Sequence, residues 1–209
     1  MRGHAFARYA DDCNVYLGCR KAAEHAFKAI EGYLESELKL QVNRDKSAVA
    51  RASTRDFLGY GLIGRETARL KAAAASVARL RQKVKTLLRE KRGAGLTAIT
   101  EALNPLLRGW TSYFRHAAVK NVWQDLDGWI RRKLRCRLWR YAKRPYARAT
   151  ALMKQGLTRE RAWRSATNGR GAWWNSGASH MNAAFPKSFF DRLGLVSLVD
   201  THQRFQRHS

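Results

Sequence analysis

The stretch that decides the fold of this chain runs from residue 119 to residue 144 and reads VKNVWQDLDGWIRRKLRCRLWRYAKR. Its apolar residues recur every three or four positions, which predicts one helix of about twenty residues with a continuous apolar stripe. Pro145 marks the end of this helix, because a residue that precedes proline avoids helical dihedral angles. The stripe consists of Val119, Val122, Trp123, Leu126, Trp129, Ile130, Leu134, Leu138 and Tyr141.

The second half of this stretch is strongly basic and contains no acidic residue. A helix that is only solvated usually interleaves Glu and Asp with its Lys and Arg. We therefore interpret the eight basic residues of 131–144 as phosphate-binding, with a solvated helix face as the alternative. This basic cluster comprises Arg131, Arg132, Lys133, Arg135, Arg137, Arg140, Lys143 and Arg144, and Arg170 in a predicted loop is a further RNA-binding candidate.

The charge of the whole chain indicates a polyanionic partner. The 209 residues include 41 Lys or Arg and 16 Asp or Glu, a net charge of +25, and residues 128–209 alone hold 18 basic and 3 acidic side chains. Nucleic acid is the first candidate partner and an anionic membrane surface the second. Basic residues mixed with tryptophans favour RNA, since phosphates bind the cations and unstacked bases lie on the rings. Glycines and prolines break up the region, which disfavours an amphipathic membrane helix.

The same composition excludes several classes of protein. No stretch approaches 18 uncharged apolar residues, so a membrane-spanning helix is not expected. The N-terminus lacks the apolar run of a secretory signal. Three cysteines without a CxxC pair exclude a disulfide framework and disfavour a cysteine-rich zinc site. We therefore expect a cytoplasmic protein that does not associate with membranes.

The N-terminal part alternates between short strands and helices. Residues 4–9 and 13–18 predict a β-hairpin around Ala10-Asp11-Asp12, and helical spacing follows over 20–38. The other predicted elements are strands at 40–42, 47–51 and 57–62 and a long helix over 68–91. The period of the apolar pattern changes near residue 64, where we place the boundary between two domains.

The C-terminal part is predicted to be helical. A short helix from Leu96 to Leu103 is expected to end at Asn104-Pro105, where a new helix starts and runs to about Ala117, because Asn caps and Pro begins helices. Trp173 and Trp174 point in different directions as neighbours, so that one packs while the other faces RNA. Further predicted elements are helices near 146–155, 158–167 and 178–184, a loop at 168–171 and short apolar pieces at 189–199.

Two adjacent carboxylates, Asp11 and Asp12, lie at the turn of the predicted hairpin. Mg²⁺ prefers one or two carboxylates together with substrate oxygens, and two-metal phosphoryl transfer needs a cluster of carboxylates. Adjacent aspartates are also common in solvated turns. The pair by itself leaves both interpretations open.

The motifs around this pair resemble those of group II intron reverse transcriptases. Tyr9-Ala10-Asp11-Asp12 is similar to their active-site hairpin, and two downstream segments, 38–47 and 57–60, follow in the same order. The resemblance implies that Asp11 and Asp12 are catalytic carboxylates that bind Mg²⁺. It also implies a palm segment at Asn43 and Lys46-Ser47 and a primer-steadying hairpin. The implied primer or template contacts are Tyr9, Lys46, Phe57, Leu58, Gly59 and Tyr60.

The C-terminal part resembles the maturase-specific region of the same family, which comprises the thumb and domain X. The segments that carry this resemblance are Leu103–Phe114, Asp125–Arg135, Leu138–Pro145, Gly169–Ser176 and Leu193–Leu195. The resemblance implies an α+β fold, with a partial palm over 1–64, a thumb and the start of the maturase-specific region over 65–143, and the remainder of domain X over 144–209. It covers essentially the whole chain and is closest to the endonuclease-lacking bacterial type.

The chain departs from the family by lacking the fingers and the first half of the palm, which supply another metal-binding aspartate and the nucleotide pocket. We therefore expect a protein that binds group II intron RNA and assists splicing. RNA-directed DNA polymerase activity is expected only when a second polypeptide supplies the N-terminal half of a split reverse transcriptase. The alternatives are a degenerate fragment without activity and a generic basic nucleic-acid-binding protein.

Overall fold

The computed structural model describes residues 5–64 and 67–207, and they form two compact units, Met1–Ala73 and Ala74–Ser209. The described residues form ten α-helices and five short strands in two antiparallel sheets. The predicted α+β class is therefore confirmed. The first unit extends beyond residue 64 because a strand over Arg69–Ala72 completes its second sheet. Among the described residues, no helix is both long enough and apolar enough to span a bilayer.

The first unit opens with the expected hairpin. Strand β1 (Ala5–Tyr9) pairs with β2 (Asp12–Tyr16), and Tyr9 lies opposite Asp12, so that the turn consists of Ala10 and Asp11. Ala10 has a φ of 52°, a left-handed conformation that is uncommon for a residue with a side chain. Residue 4 of the predicted strand lies outside the described residues. The hairpin itself is confirmed.

The rest of the first unit is a helix and a three-stranded sheet. Helix α1 spans Arg20–Ser36, and none of its residues is buried. Strands β3 (Asp56–Phe57), β4 (Tyr60–Ile63) and β5 (Arg69–Ala72) are antiparallel in that order. Leu58 and Gly59 both have positive φ, at 50° and 75°, as a tight two-residue hairpin turn requires. The strand predicted over 57–62 is thus two strands with a turn between them.

Two predicted strands in this unit are wrong. Residues 40–42 and 47–51 form no strand, and a single 3₁₀ turn follows at Ala52–Thr54. Local hydrogen bonds at Asn43 explain the difference, because its backbone carbonyl accepts from the amides of Lys46 and Ser47 at 3.2 and 2.9 Å. Backbone groups that form hydrogen bonds within such a turn are not available for pairing with a neighbouring β-strand.

The second unit consists of nine helices among the residues that the structure describes. They are α2 (Ala74–Glu90), α3 (Leu96–Tyr113), α4 (Lys120–Tyr141), α5 (Pro145–Lys154), α6 (Arg159–Ala166), α7 (Ala172–Gly177), α8 (Ser179–Ala184), α9 (Lys187–Arg192) and α10 (Leu198–Arg207). The long helix predicted from residue 119 is confirmed as α4. The helix predicted over 68–91 starts later, at Ala74, because residues 69–72 pair with β4. Helices α7, α9 and α10 were not predicted as separate elements.

The core of the second unit lies along the apolar stripe of α4. Trp123, Leu126, Ile130 and Leu134 are at most 1% exposed, and side chains of the surrounding helices cover them. Burying one such leucine or isoleucine side chain contributes about 1.5–3 kcal/mol. The other fully buried large side chains are Leu80, Ile99, Leu103, Leu107, Leu152, Met181, Phe190 and Leu198. The periodic stripe therefore identified the central helix of the unit.

The predicted helix break at Asn104-Pro105 is wrong, because α3 continues through Pro105. Proline inside a helix costs about 3 kcal/mol. Leu103 and Leu107 flank Pro105 and are completely buried, so their packing offsets that cost. The Asn104 amide does not cap a helix. It donates to the Gly194 carbonyl oxygen and accepts from the Val196 amide, both at 2.9 Å.

A buried carboxylate on α4 holds the start of α10. Asp127 accepts hydrogen bonds from the Ser197 hydroxyl at 2.8 Å, from the Leu198 amide at 2.9 Å and from the Val199 amide at 3.2 Å. The first amides of a helix have no partner within it. Asp127 therefore caps α10 from a position 71 residues earlier in the chain.

Candidate nucleic-acid interface

The structure divides the basic cluster into exposed residues and residues used inside the fold. Arg140, Lys143 and Arg144 are exposed, and so is Arg170 in the loop before α7. Arg131, Arg132, Lys133 and Arg137 are half-buried, and Arg135 is buried. The eight residues therefore do not form one continuous phosphate-binding face.

Arg135 points into the second unit. Its side chain is buried, and its Nε donates to the Phe185 carbonyl oxygen at 2.8 Å. The guanidinium lies 5.7 Å from the centre of the Phe190 ring. Burial lowers the pKa of Arg135 to about 10, and the neighbouring Arg131 contributes in the same direction. The structure does not place this residue where RNA could reach it.

Arg137 and Arg131 also have partners inside the fold. Arg137 donates to the Leu88 carbonyl oxygen at 2.7 Å and to that of Lys91, two carbonyls near the C-terminus of α2. A cation at this end of a helix compensates both the unpaired carbonyls and the helix dipole. Arg131 lies 3.8 Å from Asp127. These two arginines contribute to the packing of α2 and α10 against α4.

Two of the remaining cations of the cluster lie against tryptophans of α4 and α7, together with one cation of α2. The Arg132 guanidinium lies 4.1 Å from the centre of the Trp173 ring, and the Lys133 ammonium lies 4.5 Å from it. Lys133 is also 5.5 Å from the centre of the Trp129 ring, and Arg81 of α2 is 5.7 Å from it. We call this the aromatic–basic surface. Its residues are Arg81, Trp129, Arg132, Lys133 and Trp173, together with Lys85 and Arg140, whose charges act on Lys133.

The aromatic–basic surface concentrates positive charge without neutralising it. Burial lowers the pKa of Lys133, and the positive charges of Lys85, Arg140 and Arg132 lower it further. Within the described part of the chain, no salt bridge joins a cation of this surface to a carboxylate. The Nε atoms of Arg81 and Arg132 are buried without a hydrogen-bond partner among those residues.

Close packing on α7 sets the position of Arg132. A Cβ atom added at Gly177 would stand 2.9 Å from the Arg132 guanidinium carbon, closer than real Cβ contacts allow. The Arg132 side chain also donates to the Trp173 carbonyl oxygen at 3.2 Å. Glycine at this position therefore lets the guanidinium lie flat between α7 and the Trp173 ring.

Another pair of a cation and an aromatic ring, Arg170 and Trp174, lies next to the aromatic–basic surface in the sequence of α7 and the loop before it. Trp174 is 51% exposed, and the Arg170 guanidinium lies 5.5 Å from the centre of its ring. The loop that carries Arg170 is held by the completely buried Asn175. The amide of Asn175 donates to the carbonyl oxygens of Arg170 and Gly171 at 2.8 and 3.2 Å. Its side-chain oxygen accepts from the Asn168 amide at 2.7 Å.

The predicted catalytic pair lies on the exposed turn of the first hairpin. Asp11 and Asp12 are both exposed, as is Tyr9 beside them. The described residues contain no group of three or more His, Cys, Asp or Glu that could hold a metal ion. Two neighbouring carboxylates supply too few ligands to clamp two Mg²⁺ ions, so the residues present do not fit a complete two-metal site.

The other predicted primer and template residues lie elsewhere in the first unit. Lys46 is exposed in the Asn43 turn, and Phe57, Leu58, Gly59 and Tyr60 form the β3–β4 hairpin. This hairpin belongs to a different sheet from the β1–β2 hairpin. The roles of all these residues stay predictions.

Comparison with known protein families places the second unit. Residues 77–156 match the family model described as Group II intron, maturase-specific domain. The match runs from α2 to just beyond α5 and covers fewer than half of the 209 residues. No curated protein matches the chain. The match supports a C-terminal region of the group II intron maturase type, which implies a role in splicing with group II intron RNA as the partner.

Sequence reasoning missed three parts of the aromatic–basic surface. Arg81 and Lys85 lie on α2, outside the basic cluster, and Trp129 belongs to the apolar stripe although its ring carries two cations. The alternating Lys and Arg residues at positions 79, 81, 83 and 85 of α2 indicate a second basic face that could have been predicted from the sequence. Nothing in the sequence showed that this helix lies beside α4.

Proposed function

We propose that this protein binds folded group II intron RNA through the aromatic–basic surface and stabilises the RNA fold that splices. The observation that carries the proposal is the contact of three cations, Arg81, Arg132 and Lys133, with Trp129 and Trp173. Among the described residues these cations have no carboxylate partner, and all the members of the contact except Trp173 lie in the segment 77–156 that matches the maturase-specific domain. The intron RNA supplies the splicing chemistry, and the protein supplies charge and shape. Such a function needs binding and no catalytic residue.

The physical basis of this binding is the relief of repulsion between like charges. Burial and, after it, the positive charges of Lys85, Arg140 and Arg132 lower the pKa of Lys133, and RNA phosphates placed among these groups would reverse the effect of the charges. Each phosphate that a cation neutralises also releases a counterion from the RNA. The affinity is therefore expected to fall steeply as salt rises.

We further propose that the first unit works as a polymerase palm only together with a second polypeptide that carries the fingers and the first half of the palm. Exposed apolar side chains support this, because Phe6 of β1 is 73% exposed and Tyr33 of α1 is 58% exposed. Helix α1 has no buried residue at all, although most helical stability in proteins comes from packing, so a covering partner would supply what this helix lacks. In that assembly Asp11 and Asp12 would supply two of the Mg²⁺ ligands. Intron RNA as the partner favours a cytoplasmic location.

The test of RNA binding is the salt dependence of affinity for a group II intron RNA. Replacing Lys85, Lys133 and Arg140 by Ala is expected to flatten the slope of log K against log salt by about 2–3, because each lost phosphate contact removes about 0.7–0.9. A control variant removes the same charge from exposed positions outside the surface, at Arg108, Lys120 and Lys154. Its slope is expected to change by less than about 1.

Three outcomes would contradict the proposal. Equal slopes for the two variants would mean that the aromatic–basic surface has no special role. Equal affinity for intron RNA and for an unrelated structured RNA of the same length would favour the generic nucleic-acid-binding alternative. Absence of binding by the folded chain at low salt would favour the degenerate fragment.

A further inference from the structure

We propose that Trp174 and Arg170 form a site for one unpaired nucleotide of the RNA, with the base stacked on the indole ring and the phosphate bound by the guanidinium. The inference rests on the proposed RNA-binding function and specifies which feature of the RNA this part of the molecule reads. It assigns recognition of a bulge or loop to the α7 segment, while the aromatic–basic surface binds backbone phosphates.

The two neighbouring tryptophans of α7 have different surroundings. The Trp173 ring is engaged by Arg132 and Lys133 of α4. Trp174 has one cation beside it, Arg170, and 51% of its surface is exposed to solvent. The half-exposed indole ring of Trp174 can therefore stack with another planar group in addition to the Arg170 guanidinium. Base-on-aromatic stacking is worth about 1–3 kcal/mol per base and tolerates any base.

The loop before α7 places the guanidinium next to this ring in advance. Asn175 binds the carbonyl oxygens of Arg170 and Gly171, and the Asn168 side chain accepts from the Arg170 amide at 2.9 Å. Gly169 has a φ of 68°, which lets the loop turn tightly. A buried, fully hydrogen-bonded asparagine thus fixes the backbone of an exposed arginine. Such preorganisation lowers the entropic cost of binding a ligand.

The ligand chemistry follows from the combination of a ring and a cation. A base within a duplex has both faces covered by its neighbours, so only an unpaired base can stack on Trp174. Arg170 takes part in no salt bridge within the described residues, so its charge is available to the phosphate of that nucleotide. The adjacent Trp173 belongs to the aromatic–basic surface, so flanking phosphates of the same strand would meet cations.

The test uses two RNA duplexes of equal length, each annealed from two separate strands, one fully paired and one with a single-nucleotide bulge that carries 2-aminopurine. With the wild-type chain, the 2-aminopurine fluorescence is expected to be quenched on binding, because the probe base stacks on an aromatic ring. Trp174→Ala is expected to remove the quenching and to weaken binding of the bulged RNA by about 5- to 150-fold. Binding of the paired RNA is expected to change less than about twofold, since no base stacks there.

Three further variants separate stacking from charge and from general damage. Trp174→Phe keeps a ring and is expected to retain most of the quenching. Arg170→Ala is expected to flatten the salt slope for the bulged RNA by about 1, whereas Trp174→Ala leaves it unchanged because it removes no charge. Tyr146→Ala removes another exposed aromatic side chain, 69% exposed on α5, and is expected to behave as wild type.

The outcomes distinguish this inference from the proposed function on which it rests. If Trp174→Ala weakens both RNAs equally, or if quenching persists in that variant, the unpaired-nucleotide site is refuted while RNA binding stands. If the wild-type chain binds neither duplex at low salt, the proposed function itself fails.

Discussion

The contrast between Arg135 and Arg140 gives the sharpest test of how the basic cluster is used. The two residues lie five positions apart on α4, and the sequence treats them alike. Arg135 is buried and donates to the Phe185 carbonyl oxygen at 2.8 Å. Arg140 is exposed and belongs to the aromatic–basic surface. Replacing each by Ala should therefore affect different properties.

The expected loss for Arg135→Ala follows from its contacts. A hydrogen bond to a charged donor contributes about 1.5–3 kcal/mol, and the buried stem of the Arg135 side chain adds about 0.8 kcal/mol for each fully buried methylene group. We expect the free energy of unfolding to fall by about 2–4 kcal/mol, since the side chain's desolvation cost is recovered at the same time. For Arg140→Ala we expect a change within about 0.5 kcal/mol.

Urea unfolding followed by tryptophan fluorescence measures this difference in the second unit alone, because all seven tryptophans lie in it. RNA binding as a function of salt then gives the second property. Arg140→Ala should flatten the slope by about 0.7–0.9, and Arg135→Ala should leave the slope unchanged wherever the chain is folded. An Arg135→Ala variant that is as stable as wild type and has a flatter salt slope would falsify the claim that Arg135 stabilises the fold and does not bind RNA.

Three other predictions concern separate features of the molecule. Asp127→Ala removes the cap of α10 and should lower the free energy of unfolding by about 2–4 kcal/mol, whereas Asp125→Ala on the exposed side of the same helix should stay within about 0.5 kcal/mol in the same urea titration. Burial lowers the pKa of both His180 and His202 from the usual 6.5, so the unfolded chain binds more protons. Stability should therefore be full above pH 6.5 and fall as the pH drops below it, and replacing both histidines by Gln should reduce this dependence in urea titrations at several pH values. Primer extension on an RNA template with Mg²⁺ should show no activity for the 209 residues by themselves. Any activity gained by adding a polypeptide that carries the fingers and the first half of a palm should disappear in Asp11→Ala, whereas extension by the 209 residues by themselves would contradict the incomplete two-metal site.

Local sequence patterns were enough for the elements whose stability is local or strongly periodic. The stripe from Val119 predicted α4 to within a residue or two, and the turn at Ala10-Asp11 predicted the first hairpin. The α+β class and the match to the maturase-specific domain agree with these patterns. Local patterns failed where contacts with residues distant in the sequence determine the secondary structure. Residues 69–72 became a strand because β4 pairs with them, and α3 passes Pro105 because its neighbours are buried.

The sequence by itself determined the central helix, the net charge and the presence of many lysines and arginines on that helix. It could not determine which of those lysines and arginines face solvent. Successive residues are rotated by about 100° around the helix axis, so the basic cluster lies on all sides of the helix. The tertiary structure decided this by packing Phe185 and Phe190 against Arg135, the end of α2 against Arg137, and α7 against Arg132. An arginine becomes a structural donor where a neighbour covers it and offers a carbonyl, and it stays available to phosphate where none does.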